Sequence, residues 1–275
     1  MVASGALLIG WAGFVLAAGA AAPTADCRPA IAERALVADA SAGDRLRLAD
    51  GREIRLPALL APAPSLTPRA EEAVRVEAAR AALHRLVAGK TVGISPIARK
   101  SDRHGRLLAH VALEGSDDPF SLETTLLREG HARVAAAHDR RQCLGPLLAA
   151  ESSARERILG LWGDPYYAVR RADDASSMND LAGAYLVAEG RVASVRASGA
   201  QVYLNFARRW RDGLSVTIWK PYAARFEGGE DGLRRLEGAR VRVRGWLSSD
   251  GRLLIAASYP EQIERLAGEA PRRQD

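Results

Sequence analysis

Short strand-like runs in a regular order constrain the fold of this chain more than any other feature of its sequence. Asp50-Gly51 lies between two alternating runs, and this dipeptide is a strong signal for a β-hairpin. A helical stretch at 69–88 follows Thr67, which can cap it, and includes Pro68 near its first turn. The first half is therefore predicted to contain three strands, a helix and two strands, with the strands at 35–40, 45–48, 53–56, 91–95 and 107–113.

The second half of the chain repeats this order. Two helices at 122–136 and 141–161 are predicted to separate the halves, and a helical stretch around Gly228-Gly229 interrupts the second set of strands. Three strands, a helix and two strands is the order of a partly open Greek-key barrel, the OB-fold. We therefore predict a mainly β protein with helices (α+β), in which an N-terminal OB-fold barrel is followed by a second OB-like barrel with strands at 185–195, 201–206, 214–219, 240–247 and 253–258.

The ends of the predicted domains follow from composition. Residues 1–25 carry no charged side chain and include an apolar run, which predicts a signal peptide or, if it is not cleaved, a membrane anchor. The polar, turn-rich segment 173–179 predicts a linker. We expect one domain at 33–166 and a second at 180–266, in a protein that is exported to the periplasm or secreted.

The two cysteines take their meaning from this predicted export. Cys27 follows the expected cleavage region, and Cys143 begins a later helical stretch. In an oxidising compartment an even pair of cysteines predicts one disulfide bond, and two free thiols are the alternative.

The net charge of +6 favours anionic partners. Arginine supplies most of the positive charge, because the only lysines are Lys90, Lys100 and Lys220. A bias in coding composition would produce the same surplus of arginine, so the charge alone does not establish a function.

Two short motifs carry the chemistry of the first half. One is Gly43-Asp44 followed by Arg55-Leu56, and the other is Asp102-Arg103-His104-Gly105-Arg106. With the stretch from Glu151 to Trp162, these motifs resemble the thermonuclease (staphylococcal-nuclease-like) family, and the resemblance covers roughly 34–165. In that family two aspartates hold a calcium ion, a glutamate activates water and two arginines clamp the phosphate, for which the planar guanidinium is well suited.

By this resemblance, Arg55 and Arg106 match the clamp arginines, and Asp44 matches the first metal-binding aspartate. Leu60 stands where the second aspartate belongs and Ala63 where the glutamate belongs, with the spacing preserved. Calcium takes six or more oxygen ligands, and a missing general base costs about 10²–10⁴ in rate. The resemblance therefore implies a nuclease scaffold with impaired catalysis and no cofactor, with Ca²⁺ bound only if a rearranged site is active.

Two other groups of residues are candidates for contacts with nucleic acid. Arg103 and His104 lie beside the predicted clamp, and the five histidines of the chain have no zinc-like spacing. In the second half, aromatic and cationic side chains are interleaved as in proteins that bind single strands, at Tyr203, Arg209, Trp210 and Arg211. The alternative for that stretch is a hairpin whose aromatics alternate between core and rim, with a solvated basic turn.

The leading prediction is an exported, catalytically impaired thermonuclease-like protein that binds nucleic acid or another polyanion, with single strands favoured, through Arg55 and Arg106. One alternative is an active metal-dependent nuclease that uses Asp44 and an unrecognised carboxylate. The other is an envelope protein-interaction scaffold in which the positive charge is incidental. An uncleaved N-terminal segment would add membrane association to any of these.

Overall fold

The computed structural model describes residues 29–64, 70–135, 144–249 and 251–266. The predicted N-terminal signal or anchor, the predicted cap at Thr67 and the predicted Cys27–Cys143 disulfide lie outside the described residues. None of the helices in the described part of the chain is both long and apolar enough to span a membrane.

The first unit is built around a closed five-stranded barrel, as predicted. Its strands pair in the order β1-β2-β3-β6-β5, and β3 pairs with β6 in parallel while the other pairs are antiparallel. The hairpin between β2 and β3 turns at Asp50-Gly51, where Gly51 has a φ of 89° that favours glycine. In chain order the elements are β1 (Glu33–Ala42), β2 (Arg45–Leu48), β3 (Glu53–Arg55), β4 (Leu59–Leu60), α1 (Ala70–Val87), β5 (Thr91–Ser101) and β6 (Leu107–Ala112).

The helices that follow the barrel are shorter than predicted. The helix predicted at 122–136 is α2 (Ser121–Arg128), after which β7 (Arg133–Val134) pairs with β4. Gly130, with a φ of 77°, ends the helical run, and a Cβ there would lie 2.2 Å from the carbonyl oxygen of Leu159. The helix predicted at 141–161 is α3 (Leu144–Glu156). It ends before Ile158 and Gly160, whose φ values of 55° and 54° are incompatible with a right-handed helix.

The second unit is an eight-stranded sheet with two short helices. The strands pair in the order β10-β11-β12-β14-β13-β9-β8, and β15 pairs with β13. The strand predicted at 185–195 is divided into two, because the chain leaves the sheet at 192–193. The elements are β8 (Arg170–Arg171), β9 (Tyr185–Arg191), β10 (Ser194–Ser198), β11 (Gln201–Asn205), β12 (Ser215–Trp219), α4 (Lys220–Ala223), α5 (Gly229–Arg234), β13 (Arg240–Ser249), β14 (Leu253–Ala256) and β15 (Ile263–Arg265).

The pairing order of the second sheet follows that of the barrel. The consecutive strands β9 and β10 together take the place of β1, because β9 pairs with β13 and β10 pairs with β11. The parallel pair β12–β14 corresponds to the parallel pair β3–β6. In chain order, α1 lies between β3 and β5 of the barrel, and α4 and α5 lie at the corresponding place between β12 and β13 of the second sheet.

The segment predicted to be a linker, 173–179, is folded onto the second unit. It contains two short 3-10 turns, and the side chains of Ala172 and Met178 are buried in the second core. The backbone N–H of Ala175 donates to the carbonyl oxygen of Asp212 at 2.9 Å, and that of Leu214 donates to Ala172 at 2.8 Å. The connection between the units is therefore held by the second sheet.

A buried ion cluster joins the two units. Arg244 on β13 is 1% exposed and donates to Oε2 of Glu151 on α3 at 2.7 Å, and also to Glu264 on β15. The other oxygen of Glu151 accepts a hydrogen bond from the backbone N–H of Val134 at 2.8 Å. Beside this cluster, buried apolar side chains from both units pack together, namely Ala154, Trp162 and Val187. The last helix of the first unit thus anchors the second unit.

Candidate functional site

Asp44 serves as a shared counterion for two arginines. It lies between β1 and β2, and its Oδ1 accepts from Nε of Arg45 at 3.2 Å. Its Oδ2 is 3.5 Å from Nε of Arg55, which the pairing of β2 with β3 places directly opposite Arg45. The carboxylate that matches the family's first metal-binding aspartate is therefore engaged by two guanidinium groups.

Arg106 is held by a carboxylate of its own turn. Asp102 accepts from Nε of Arg106 at 2.7 Å and from the backbone N–H groups of His104 and Arg106 at 2.8 and 3.1 Å. Burial by itself would raise the pKa of Asp102, but these hydrogen bonds outweigh it and lower the pKa to about 2. The Arg106 side chain is thus fixed in a neutral pair at ordinary pH.

The barrel brings the two predicted clamp arginines onto adjacent strands. Arg106 immediately precedes β6, and the parallel pairing sets Leu107 beside Ile54 and Leu108 beside Arg55. Each guanidinium is, however, already paired with a carboxylate of this chain, so a phosphate would have to compete with that carboxylate.

The remaining positions of the expected metal site do not fit a calcium ion. Leu60 lies on β4, where it pairs with Arg133, and Ala63 lies exposed in the loop that follows. Neither side chain offers an oxygen ligand, and Asp44 is engaged by arginines. Across the described residues, no group of three or more histidine, cysteine, aspartate or glutamate side chains could hold a metal ion. Hard cations need several oxygen ligands at once, and this site does not supply them.

Arg103 and His104 form the exposed tip of the turn before β6. Nε of Arg103 donates to Nε2 of His104 at 3.0 Å, and the two side chains are exposed. Gly105, with a φ of 76°, allows the chain to turn back towards β6. Contact of Arg103 and His104 with a phosphate stays a prediction.

The aromatic and basic stretch of the second unit forms a surface that sequence reasoning found only in part. Tyr203 lies on β11, and Trp210, 42% exposed, lies in the turn between β11 and β12. The guanidinium of Arg211 is 4.6 Å from the ring of Trp210. The guanidinium of Arg252, from the hairpin between β13 and β14, is 4.7 Å from the ring of Tyr203 and 5.9 Å from that of Trp210.

This surface, which we call the β11–β12 face, carries cations that have no carboxylate partner among the residues with a described structure. Arg196 on β10 lies directly opposite Tyr203, and Trp219, 45% exposed, lies at the far end of β12. In the part of the chain that the structure describes, no carboxylate lies within 4.0 Å of the guanidinium groups of Arg196, Arg209, Arg211 or Arg252. Arg196, Trp219 and Arg252 were missed from the sequence, because only the strand pairing brings them to Tyr203.

A groove with a volume of about 1340 Å³ lies between the two units. Its first wall includes Leu60, Ala63 and Tyr166, and its second wall includes Tyr185 and Trp246. Arg133 also lines the groove, and its guanidinium lies 4.7 Å from the ring of Tyr167 and 5.3 Å from that of Tyr185. Burial lowers the pKa of the Arg133 guanidinium.

Comparison with known proteins supports the similarity of the first unit to nucleases. No relative of the chain was found among curated proteins. Residues 54–164 match the family model described as Staphylococcal nuclease homologue. The match includes Arg55, Leu60, Ala63 and Arg106, whereas Asp44 precedes it. The first unit of this protein therefore contains a staphylococcal-nuclease-like domain.

Proposed function

We propose that this protein is an exported nucleic-acid-binding protein that holds single strands on the β11–β12 face and does not cut them. The staphylococcal-nuclease-like domain supports a nuclease-like or nucleic-acid-binding function. The observation that carries the choice between these is the poor fit for a metal ion at Asp44, Leu60 and Ala63, together with the arginines of the second unit that have no carboxylate partner among the described residues.

The chemistry of the β11–β12 face suits single strands. Bases stack on aromatic side chains whatever their sequence, and each stacked base contributes about 1–3 kcal/mol. Tyr203 on β11 lies opposite Thr217 on β12, and Trp219 lies two residues further along β12, opposite Gln201. Tyr203 and Trp219 are therefore diagonal neighbours on adjacent strands. Diagonal neighbours of this kind have Cβ atoms about 7–8 Å apart, within reach of aromatic rings. Two neighbouring bases could thus stack on the face while the arginines contact the backbone.

The residues of the first unit support the proposed absence of cutting. Phosphodiester hydrolysis in this family depends on a cation and on a carboxylate that activates water, and the residues at 60 and 63 provide neither. Arg55 and Arg106 remain near the expected place of the phosphate, but each is paired with an aspartate. We therefore assign the barrel a minor, salt-sensitive part in binding.

The test is a binding and cleavage assay on the intact protein. Fluorescence anisotropy of labelled single-stranded DNA, single-stranded RNA and duplex DNA would be measured at several salt concentrations, with and without millimolar calcium. We expect salt-sensitive binding that favours single strands, and no cleavage. The paired change Arg211→Ala with Arg252→Ala removes two phosphate contacts and should reduce the slope of log affinity against log salt by about 1.4.

A matched control uses two other arginines of the chain. Arg128 and Arg157 are exposed, belong to the first unit and have no carboxylate within 4.0 Å among the described residues. Their joint replacement by alanine removes the same charge and should leave affinity nearly unchanged. Equal weakening by both double variants, or binding that ignores salt, would refute the assignment to the β11–β12 face.

Export is the part of this proposal that rests on sequence alone. It is supported by the uncharged, apolar character of residues 1–25 and by the even number of cysteines. Sequencing the N-terminus of protein recovered from the cell envelope should find the mature chain beginning near Cys27, and thiol titration should find Cys27 and Cys143 oxidised. A product that keeps residue 1 and stays in the cytosol would contradict export.

A further inference from the structure

Arg133 is a buried cation with too few partners. Its side chain is 8% exposed, one terminal nitrogen donates to the carbonyl oxygen of Tyr185, and Nε has no hydrogen-bond partner. Within the described residues, no carboxylate lies within 4.0 Å of its guanidinium. A guanidinium has five N–H donors, and a buried charge is costly when it is left without a counterion. The fold thus places an incompletely satisfied guanidinium at the wall of the groove.

The surrounding ion cluster cannot supply that anion. Glu151 is shared by Arg244 and Arg155, and Glu264 is shared by Arg244 and Arg242. Glu189 pairs with Arg242 at 2.8 Å. The nearby carboxylates of the interface are therefore hydrogen-bonded to other arginines. Glu151 attracts the guanidinium of Arg133 only from beyond 4.0 Å, so Arg133 has no carboxylate in direct contact among the described residues.

The groove beside Arg133 is lined by aromatic side chains from both units. Tyr166 and Trp246, which are 44% and 60% exposed, present aromatic rings from the two units. The exposed carboxylates of Glu71 and Asp180 also line the groove, so a continuous polyanion would be repelled while a single anionic group could reach Arg133. The volume of about 1340 Å³ exceeds what one such ligand needs.

The replacement at Leu60 contributes to this site. Leu60 is the strand partner of Arg133 across β4 and β7. An aspartate at 60, which the nuclease resemblance would place there, would put a negative charge beside Arg133 and occupy it. An apolar residue leaves the guanidinium available for an anion.

From these observations we propose that the groove between the units binds a small aromatic anion of the nucleoside monophosphate class. Arg133 would pair with the phosphate, and Trp246 or Tyr166 would stack on the base. The site is separate from the β11–β12 face and does not depend on the proposed strand binding.

The probes are adenosine 5′-monophosphate, adenosine and inorganic phosphate, each titrated into the intact protein by isothermal titration calorimetry. We expect saturable binding of the monophosphate, at least about tenfold tighter than that of adenosine because of the charged hydrogen bond. We also expect the monophosphate to bind about tenfold more tightly than inorganic phosphate, because its base stacks on an aromatic ring. Equal affinity for the monophosphate and either of the other probes, or no binding at millimolar concentration, would overturn the proposal.

Variants locate the site. Leu60→Asp places a competing carboxylate opposite Arg133 at a partly exposed position, and Trp246→Ala removes an exposed ring, so both should fold and each should weaken the monophosphate about tenfold. Arg133→Gln should do the same, but it alters a buried side chain and is therefore the least informative variant. If Leu60→Asp and Trp246→Ala bind like the unaltered protein, the proposal fails.

Trp210→Ala is the reciprocal control. It should leave monophosphate binding unchanged while it weakens single-strand binding, and Trp246→Ala should do the opposite. Loss of monophosphate binding in Trp210→Ala would move the ligand to the second unit and would overturn the groove as its site. Unchanged strand binding in Trp210→Ala would count against the proposed function and leave the groove unaffected.

Discussion

The two units pair their strands in the same order but treat their arginines differently. In the barrel, Arg55 and Arg106 are paired with Asp44 and Asp102. On the β11–β12 face, Arg211 and Arg252 lie over aromatic rings and have no carboxylate partner among the residues that the structure describes. A guanidinium that is already paired supports the local fold, whereas one held over an aromatic ring keeps its N–H donors for a phosphate. The partner of each arginine, more than the number of arginines, therefore distinguishes the two surfaces.

The largest expected effect tests whether the units form one structure. Glu151→Gln removes one of the two carboxylates that pair with the buried Arg244 and leaves only Glu264. Breaking a buried pair costs up to about 3–5 kcal/mol, and the remaining carboxylate should keep the loss towards the lower end. Urea unfolding at neutral pH should show this loss. The control Glu156→Gln changes an exposed residue of the same helix and should cost little. A loss below about 1 kcal/mol for Glu151→Gln would mean that the ion cluster does not hold the units together.

The next effect concerns the β11–β12 face. Trp210→Ala should weaken binding of single-stranded DNA by about 1–3 kcal/mol, because one stacking platform is lost. Trp210→Phe keeps an aromatic face and should recover most of the affinity in the same anisotropy assay. If phenylalanine is as poor as alanine, the indole contributes by some means other than stacking.

A smaller effect tests the paired arginine of the barrel. The pKa of Asp102 is lowered from 3.8 to about 2, so its ionised form stabilises the fold above pH 4 and this contribution is lost as the pH falls through about 2. The shift corresponds to at most about 2 kcal/mol. Urea unfolding between pH 5 and pH 2.5 should show a smaller fall in stability for Asp102→Asn than for the unaltered protein.

Asp117→Asn supplies the control for this pH dependence. Asp117 pairs with Arg34 at the surface with its side chain 98% exposed, so its replacement should not change the slope. An Asp102→Asn variant with the same pH dependence as the unaltered protein would show that Asp102 does not stabilise the fold through Arg106.

The smallest expected effect is that of calcium. Millimolar calcium should leave the melting temperature unchanged and should not induce cutting of DNA or RNA. Asp44 is engaged by Arg45 and Arg55, and Leu60 stands where the family has its second metal-binding aspartate. Asp44→Ala should therefore behave like the unaltered protein towards calcium. Calcium-dependent cutting that Asp44→Ala abolishes would instead establish an active nuclease with a rearranged site.

Local sequence patterns predicted the elements of the barrel closely. The strand predicted at 45–48 is β2, and the helix predicted at 69–88 is α1 at Ala70–Val87. The predicted helix ends at 136 and 161 were wrong. Gly130 and Ile158 adopt left-handed conformations, which the helical periodicity of the neighbouring residues does not reveal.

The sequence by itself determined the local elements, the two arginine motifs and the replacement of carboxylates at Leu60 and Ala63, since each depends on residues close together in the chain. Only the tertiary structure decided the partner of each charge. Glu151 and Arg244 are 93 residues apart, and Arg252 reaches Tyr203 from a different hairpin. Such pairs depend on strand order and on the packing of one unit against the other, and the free or paired state of an arginine is decided there.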